Sequence, residues 1–516
     1  MNRRSFLRRT ALLLAAQIAA NRDFAAYAQT PPDAGDGSAF SREWLKEEAR
    51  RLSAAEYRPP AAIPRQLVEL PPERYREIRF RPDHALWHDQ DLAFQLRFFH
   101  VGRRFAQPVA IHQVSDGRSQ PVRFSGEMFD YGQNRFEPPL ADIPGFAGFR
   151  IHYRTDFERD MAAFLGASYF RAVGWQMQYG ISARGLGIDT VFPGREEFPL
   201  FTAFWIEKPA PEQADLTVHA LLNSPSVTGA YRFIIHPGRT TVMDVEATLF
   251  PRKKVRQLGL APLTSMYHHG ENDRRAADDF RPEVHDSDGL SLVRGNGERL
   301  WRPLANPAGF RVTTFLDENP RAFGLLQRDR NFRNYQDDRI YYDRRPNLWV
   351  EPQGQWGVGA VGLVEIPTDN EDFDNIVAFW SPAESPEPGQ ELSLAYRLSW
   401  GSEVPDSQSP VGRVVATRLG RGLHRQKDNN GLQFVVDFAG GPLDPLAKDA
   451  EVEPVITASR GRIEGASAYL VGEIAAWRAT FDLRPDGGDP VELRCYLRLK
   501  TGALTETWTY LWAPAR

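Results

Sequence analysis

One short stretch, EIPTDNEDFDNIVAFW at residues 365–380, carries Glu365, Asp369, Glu371, Asp372 and Asp374 between two apolar runs. A second, EVHDSDGLSLVRGNGE at 283–298, holds Glu283, Asp286, Asp288 and Glu298. A third, at 325–352, interleaves Arg328, Arg330, Arg344 and Arg345 with Tyr335, Tyr341, Tyr342 and Trp349. Cleaving a glycosidic bond takes one carboxylic acid to protonate the leaving oxygen and one carboxylate to activate water. It also takes apolar ring faces and a few placed polar groups to hold the sugar. These stretches contain every such type. Asp and Asn are also ordinary turn residues, so on the residues alone a solvated connection between strands is the favoured description.

Other chemistries have weaker support. Gly357, Gly359 and Gly362 in WGVGAVG match the spacing of a dinucleotide-binding turn. That motif needs a strand before it and a helix after it, whereas here a strand follows, so the glycines read as a turn of small residues. His268 and His269 are adjacent, so on a strand they point to opposite faces. His84 and His88 are four apart but lie beside strands, and no His-Glu-x-x-His occurs. Ser168 follows Gly166 without the second glycine of a nucleophile elbow. No metal and no cofactor is expected.

The elements that must carry these residues are mostly strands. LAFQLRFFHV, VAIHQV, GFRIHYR, LTVHALLN, AYRFIIHPG and TTVMDVEATLF are β-branched or aromatic runs bounded by Gly, Pro, Asn or Asp. Strands at this density point to β-sandwiches rather than a βαβ sheet. The exception is SREWLKEEARRLSAAEY, 41–57, where Trp44, Leu45, Ala49 and Leu52 fall on one helical face and Ser41 supplies the start. Pro- and Gly-rich breaks at 381–391 and 401–412 precede a tail of about seven short strands in about 100 residues, the size of an immunoglobulin-like sandwich.

The chain has 516 residues, a net charge of −4 and one cysteine, Cys495. Its first 28 residues hold five Arg and one Asp, an apolar run from Ala11 to Ala20 and a small-residue cleavage site at Ala26-Tyr27-Ala28. Arg3-Arg4 before Ser5-Phe6-Leu7 resembles a twin-arginine export signal. A protein folded before export needs no disulfide, which reconciles one cysteine with an oxidising destination. No basic stripe suggests nucleic acid, and no other apolar run is long enough to span a membrane.

Taken together, FLGASYFRAV, YGISARGLGIDT, GAYRFIIHPG, HDSDGL, RGNGERLWRPLANP, FGLLQRDRNFRNYQD, RRPNLWVEPQGQWGVGAVGLVEIPT and DNIVAFW resemble, in order, the OpgG/OpgD (MdoG/MdoD) family of periplasmic glucan biosynthesis proteins. The twin-arginine start looks more like the D branch. The resemblance implies a galactose mutarotase-like β-sandwich over 41–401 and an immunoglobulin-like domain over 412–516, after a signal at 1–28 and a loose leader at 29–40. It implies a role in osmoregulated periplasmic glucans, whose backbone is β-1,2-linked glucose, through an inverting endo-β-1,2-glucanase activity. Asp374 of DFDNIV is then the general acid, acting through a substrate hydroxyl, and Asp286 of HDSDGL the general base. Glu371 matches a further acidic position. Tyr335, Arg345, Trp349 and Trp356 are the expected sugar-binding wall. The implied partners are β-1,2-glucan, a membrane glucan synthase and a second copy of the chain. Two alternatives stand beside the glucanase: a scaffold that guides nascent glucan without cutting it, and, on fold analogy only, an aldose epimerase.

Overall fold

Short β-branched and aromatic runs can satisfy their backbone groups only across neighbouring strands, and the protein is all-β. The computed structural model describes residues 37–514, except 138, 139, 141, 142, 144, 275–277, 406–408 and 422–430. The expected signal at 1–28 and most of the leader at 29–40 lie outside the described residues. Among the described residues one helix exceeds six residues, Arg42–Ser53. It starts where its sequence predicts, with Ser41 Oγ accepting the Trp44 N–H at 3.1 Å. Its buried face, Leu45, Ala49 and Leu52, packs with Trp205, Leu221 and Phe250 on the outside of the largest sheet.

Two sheets form the main sandwich. The larger, sixteen-stranded sheet runs through Leu200–Glu207, Leu216–Asn223, Val227–His236, Thr241–Pro251, Leu392–Gly401, Asn347–Gln353, Ala322–Leu326 and Gly289–Val293 in spatial order. The ten-stranded sheet is ordered Arg311–Glu318, Val358–Glu365, Ile376–Pro382, Leu258–Ser265, Ser182–Arg184, Tyr169–Ala172, Asp156–Leu165, Gly148–Tyr153 and Phe94–Phe99. Their inner faces meet through edge-on aromatic contacts, Phe149 on Phe204 at 5.1 Å and Phe170 on Phe233 at 5.0 Å between ring centroids. Strands buried on both faces, such as Leu216–Asn223, read as continuous apolar runs, whereas the edge strand Arg311–Glu318 alternates residue by residue.

The larger sheet does not stop at the main sandwich. Arg299–Pro303 pairs in parallel with Thr507–Trp512, with Trp301 opposite Trp508, and the sheet continues into Val491–Leu499 and Val452–Ala458. A four-stranded sheet, Arg413–Gly420, Leu432–Ala439, Ala476–Arg484 and Arg462–Val471, covers that extension. Phe434, Phe481, Trp508 and buried Cys495 lie in the core between them. Backbone hydrogen bonds therefore join the two sandwiches.

Two expectations change in the structure. Of the three glycines at 357–362, only Gly357 is in a turn, at φ +75°. Gly359 and Gly362 lie inside the strand, where a Cβ would come within 2.4 Å of Ser381 O and 2.7 Å of the Phe379 ring. They are there for close packing. His268 and His269 do not face apart either. A bulge in their strand brings the two Nδ1 atoms to 2.9 Å.

The junction also rests on one ion pair. The Arg328 guanidinium lies 3.7 Å from the centre of the Trp301 ring and donates to both oxygens of Glu506, which also accepts the Val414 N–H at 2.7 Å. Both partners are largely buried. Glu506→Ala leaves a buried cation and an unpaired N–H, and is expected to destabilise the fold by about 3–5 kcal/mol. Denaturant unfolding measures this, and a change under about 1 kcal/mol, the range of an exposed pair, would show that the pair does not secure the junction.

Candidate functional site

The acidic stretch is the connection of a hairpin: Val358–Glu365 pairs antiparallel with Ile376–Pro382, Glu365 opposite Ile376. At the base of that loop the strands end, and side-chain amides take over the pairing of buried backbone. Asn375, fully buried, accepts the Tyr267 N–H at 2.8 Å and donates to Tyr267 O at 2.9 Å and Ile366 O at 3.0 Å. Asn306 holds the other limb, accepting the Thr368 N–H at 3.0 Å and donating to Thr368 O at 2.8 Å. Asp374 is thus one residue from a fixed point on the neighbouring strand.

Asp286 comes to the same end of the sheet by another route. The short strand Val284–His285 pairs with Tyr267–His269, and the Asp286 N–H donates to Met266 O at 2.8 Å. Its side chain is buried and forms an ion pair with Arg345, Oδ1 to Nε at 3.0 Å. Gly180 passes close by. A Cβ there would meet Arg345 Cδ at 2.8 Å and Asp286 Oδ1 at 3.0 Å, so the backbone approaches the pair as only glycine allows.

The polar network around Asp286 favours a charge beside it. Gln327 donates its amide to His285 O at 2.9 Å and to Tyr342 O at 3.1 Å, so its Oε1, 2.9 Å from His285 Nδ1, must accept. The other ring nitrogen donates to Glu283 at 2.9 Å. A proton therefore sits on Nδ1, and the Glu283 carboxyl beside the other nitrogen favours a second. Burial opposes that charge, but Glu283, Asp288 and Gln327 together raise the imidazole pKa.

Burial raises both carboxyls. Asp374 is exposed at its tip yet surrounded by protein, and burial with the nearby Asp286 pushes it up to about 6, against Arg184, Arg171 and Arg345. Asp286 is raised as well, by burial and against Arg345, His285 and Arg171. A carboxyl that titrates near neutrality beside a second carboxyl is suited to proton transfer.

Glu371 turns out to hold the loop. It pairs with Arg281 at 2.7 Å and accepts the Tyr342 hydroxyl at 3.1 Å, while Arg281 also binds Asp279 and Asp337 at 2.7 and 2.8 Å. Asp369 and Asp372 are exposed turn residues. Arg345 is at the site, but the other three residues of the expected wall are not placed to stack on a sugar. Tyr335 and Trp349 are fully buried in cores. Trp356 packs against the Tyr396 ring and precedes the strand whose far end leads to Asp374, seven steps or about 23 Å away. The exposed rings near Asp374 are Phe373 beside it and Phe198, which with Tyr169 flanks the Arg184 guanidinium.

Sequence reasoning missed Arg171, Arg184 and Arg281. Arg171 and Arg184 lie on paired strands, Arg184 opposite Tyr169. FLGASYFRAV and YGISARGLGIDT contain them, but an arginine in a strand carries no local mark of the face it takes.

The family model described as "Periplasmic glucan biosynthesis protein, MdoG" matches residues 40–512. The glucans biosynthesis protein D 1 of Ralstonia nicotianae is 51% identical over 533 residues, covering 100% of this chain and 99% of its own. The probable glucans biosynthesis protein D of Shewanella oneidensis is 51% identical over 481 residues, 92% of this chain and 89% of its own. The glucans biosynthesis protein D of Xanthomonas campestris pv. campestris is 49% identical over 525 residues, 100% and 98%.

Two outcomes are expected. Asp374 should titrate near pH 6 by carboxyl NMR. Asp286→Asn should lower that midpoint by removing like charge, and Arg171→Ala should raise it; no movement in either variant would break the coupling. Asn375→Ala removes three buried hydrogen bonds and is expected to cost at least about 2–4 kcal/mol in an unfolding titration.

Proposed function

The chain belongs to the MdoG family of periplasmic glucan biosynthesis proteins, and we propose that its cleft cleaves β-1,2-linked glucan internally with inversion, setting backbone length in osmoregulated periplasmic glucans. The observation that carries this reading is the pair of interacting carboxyls: Asp374 pushed up to about 6 with Asp286 beside it, and Asp286 ion-paired to Arg345 at 3.0 Å. The Asp374 proton goes to the leaving glycosidic oxygen, directly or through a substrate hydroxyl, as its bond to the anomeric carbon breaks. Water attacks that carbon from the opposite face and gives its proton to Asp286. Arg345, the Phe373 and Phe198 faces and Arg184 are the groups available to hold the sugars. Export to the periplasm runs through the twin-arginine signal at the N-terminus.

A second reading has its own observation. Asp286 already pairs with Arg345 at 3.0 Å, which weakens it as a base. The cleft then holds nascent glucan for a membrane synthase without cutting it.

Incubation of the mature protein with linear β-1,2-glucan separates the two. Cleavage predicts short oligosaccharides, with Asp374→Asn and Asp286→Asn each slower by roughly 10²–10⁴-fold and still able to bind glucan. Since the acid must be protonated, the rate should fall as pH rises past about 6. Binding without products would move the assignment to the guiding role.

A further inference from the structure

Of the twelve tryptophans, one is exposed among the described residues: Trp175, at 61%. It stands in a cavity of about 540 Å³ whose polar lining includes Asp156, Arg159, Asp160, Gln176 and Arg239. The backbone beneath it is held in place. The Met177 N–H closes a turn onto Gly174 O at 3.2 Å, and the Trp175 N–H donates to Arg239 O at 3.2 Å. Arg159 donates to Met177 O, and the Gln178 N–H to Arg344 O at 3.0 Å. Gly174 has no room for a side chain, since a Cβ would sit 2.3 Å from Arg239 O. Gln176 holds φ +61°, a left-handed conformation costly for a residue that is not glycine. The fold thus bears strain at a turn whose effect is to present one indole ring to solvent.

We propose that this cavity is an outer binding subsite for the glucan chain, with the Trp175 ring as the platform for a pyranose face. The inference rests on the glucan-binding reading of the cleft and deepens it. An indole offers the apolar C–H face of a sugar its best partner, and the surrounding carboxylate, amide and guanidinium groups match the hydroxyls around the ring. The apolar lining, which adds Tyr153, Met161, Val173 and Pro237 to the indole, is far smaller than the patch a protein partner needs. The wall between the cavity and the aspartates is continuous. Tyr179 donates to Asp160 of the cavity at 3.1 Å. The Arg171 guanidinium lies 4.1 Å from the centre of the Tyr179 ring. Arg171 is in turn one of the cations acting on Asp374 and Asp286. Gly180, which lies against Asp286, is five steps along the chain from Trp175, so the two places are at most about 18 Å apart.

The test uses the full mature chain carrying Asp374→Asn, so that glucan is not consumed. Calorimetric affinities are measured for long linear β-1,2-glucan and for the tetrasaccharide, before and after Trp175→Ala. Loss of the ring should weaken the long chain about tenfold and leave the tetrasaccharide unchanged. Trp175→Phe should recover most of the loss, and the melting temperature should not move because the ring is exposed. Unchanged long-chain affinity in Trp175→Ala, with the parent binding well, overturns the subsite and leaves the cleft reading intact. A parent that binds no glucan overturns both, and that failure is visible without the tryptophan variant.

Discussion

The chain has to satisfy buried backbone where its sheets run out, and the candidate site exists because side-chain amides meet that demand. Asn375 pairs with both backbone groups of Tyr267, as a neighbouring strand would. Gln327 ties His285 to Tyr342 in the same manner, and Asn347 accepts the Gln327 N–H at 2.7 Å. Each is a short, rigid replacement for strand pairing at a place where the backbone must leave the ladder to display a functional group. Asp374, Asp286 and Arg345 are consequently presented from different connections yet held by one hydrogen-bonded frame.

That frame also accounts for the charge pattern. An amide has a fixed polarity once its N–H groups are committed, so Gln327 fixes a proton on His285 Nδ1, and Glu283 at the other nitrogen favours the charged ring beside Asp286. Glu371, Asp279 and Asp337 gather on Arg281 rather than on the reacting pair. The abundance of carboxylates in the loop thus has two causes: Glu371 anchors it, and Asp374 faces the cleft.

Much of the architecture was legible in the sequence. Short β-branched and aromatic runs bounded by Gly, Pro, Asn or Asp marked strands such as Leu216–Asn223 and Thr241–Pro251, and Ser41 with Leu45, Ala49 and Leu52 marked the helix. The aspartates were legible as a loop of carboxylates, and their separate roles only through likeness to a family. The aromatics were not. Tyr335 and Trp349 look like sugar platforms because ring type says nothing about burial, whereas Trp175 and Phe198 are exposed through turn geometry and strand end-points set by distant pairings. The arginines of the site escaped for a similar reason, since their direction depends on register across four strands.

The parallel pairing of Thr507–Trp512 with Arg299–Pro303 has a consequence in time. Until Thr507–Trp512 is in place, the edge at Arg299–Pro303 lies open, a bare ladder beside Trp301 that any passing strand could extend. Closing it requires contact between segments about 200 residues apart, which is slow. A copy lacking Thr507–Trp512 would keep that edge open and leave Val491–Leu499 without its pairing on that side.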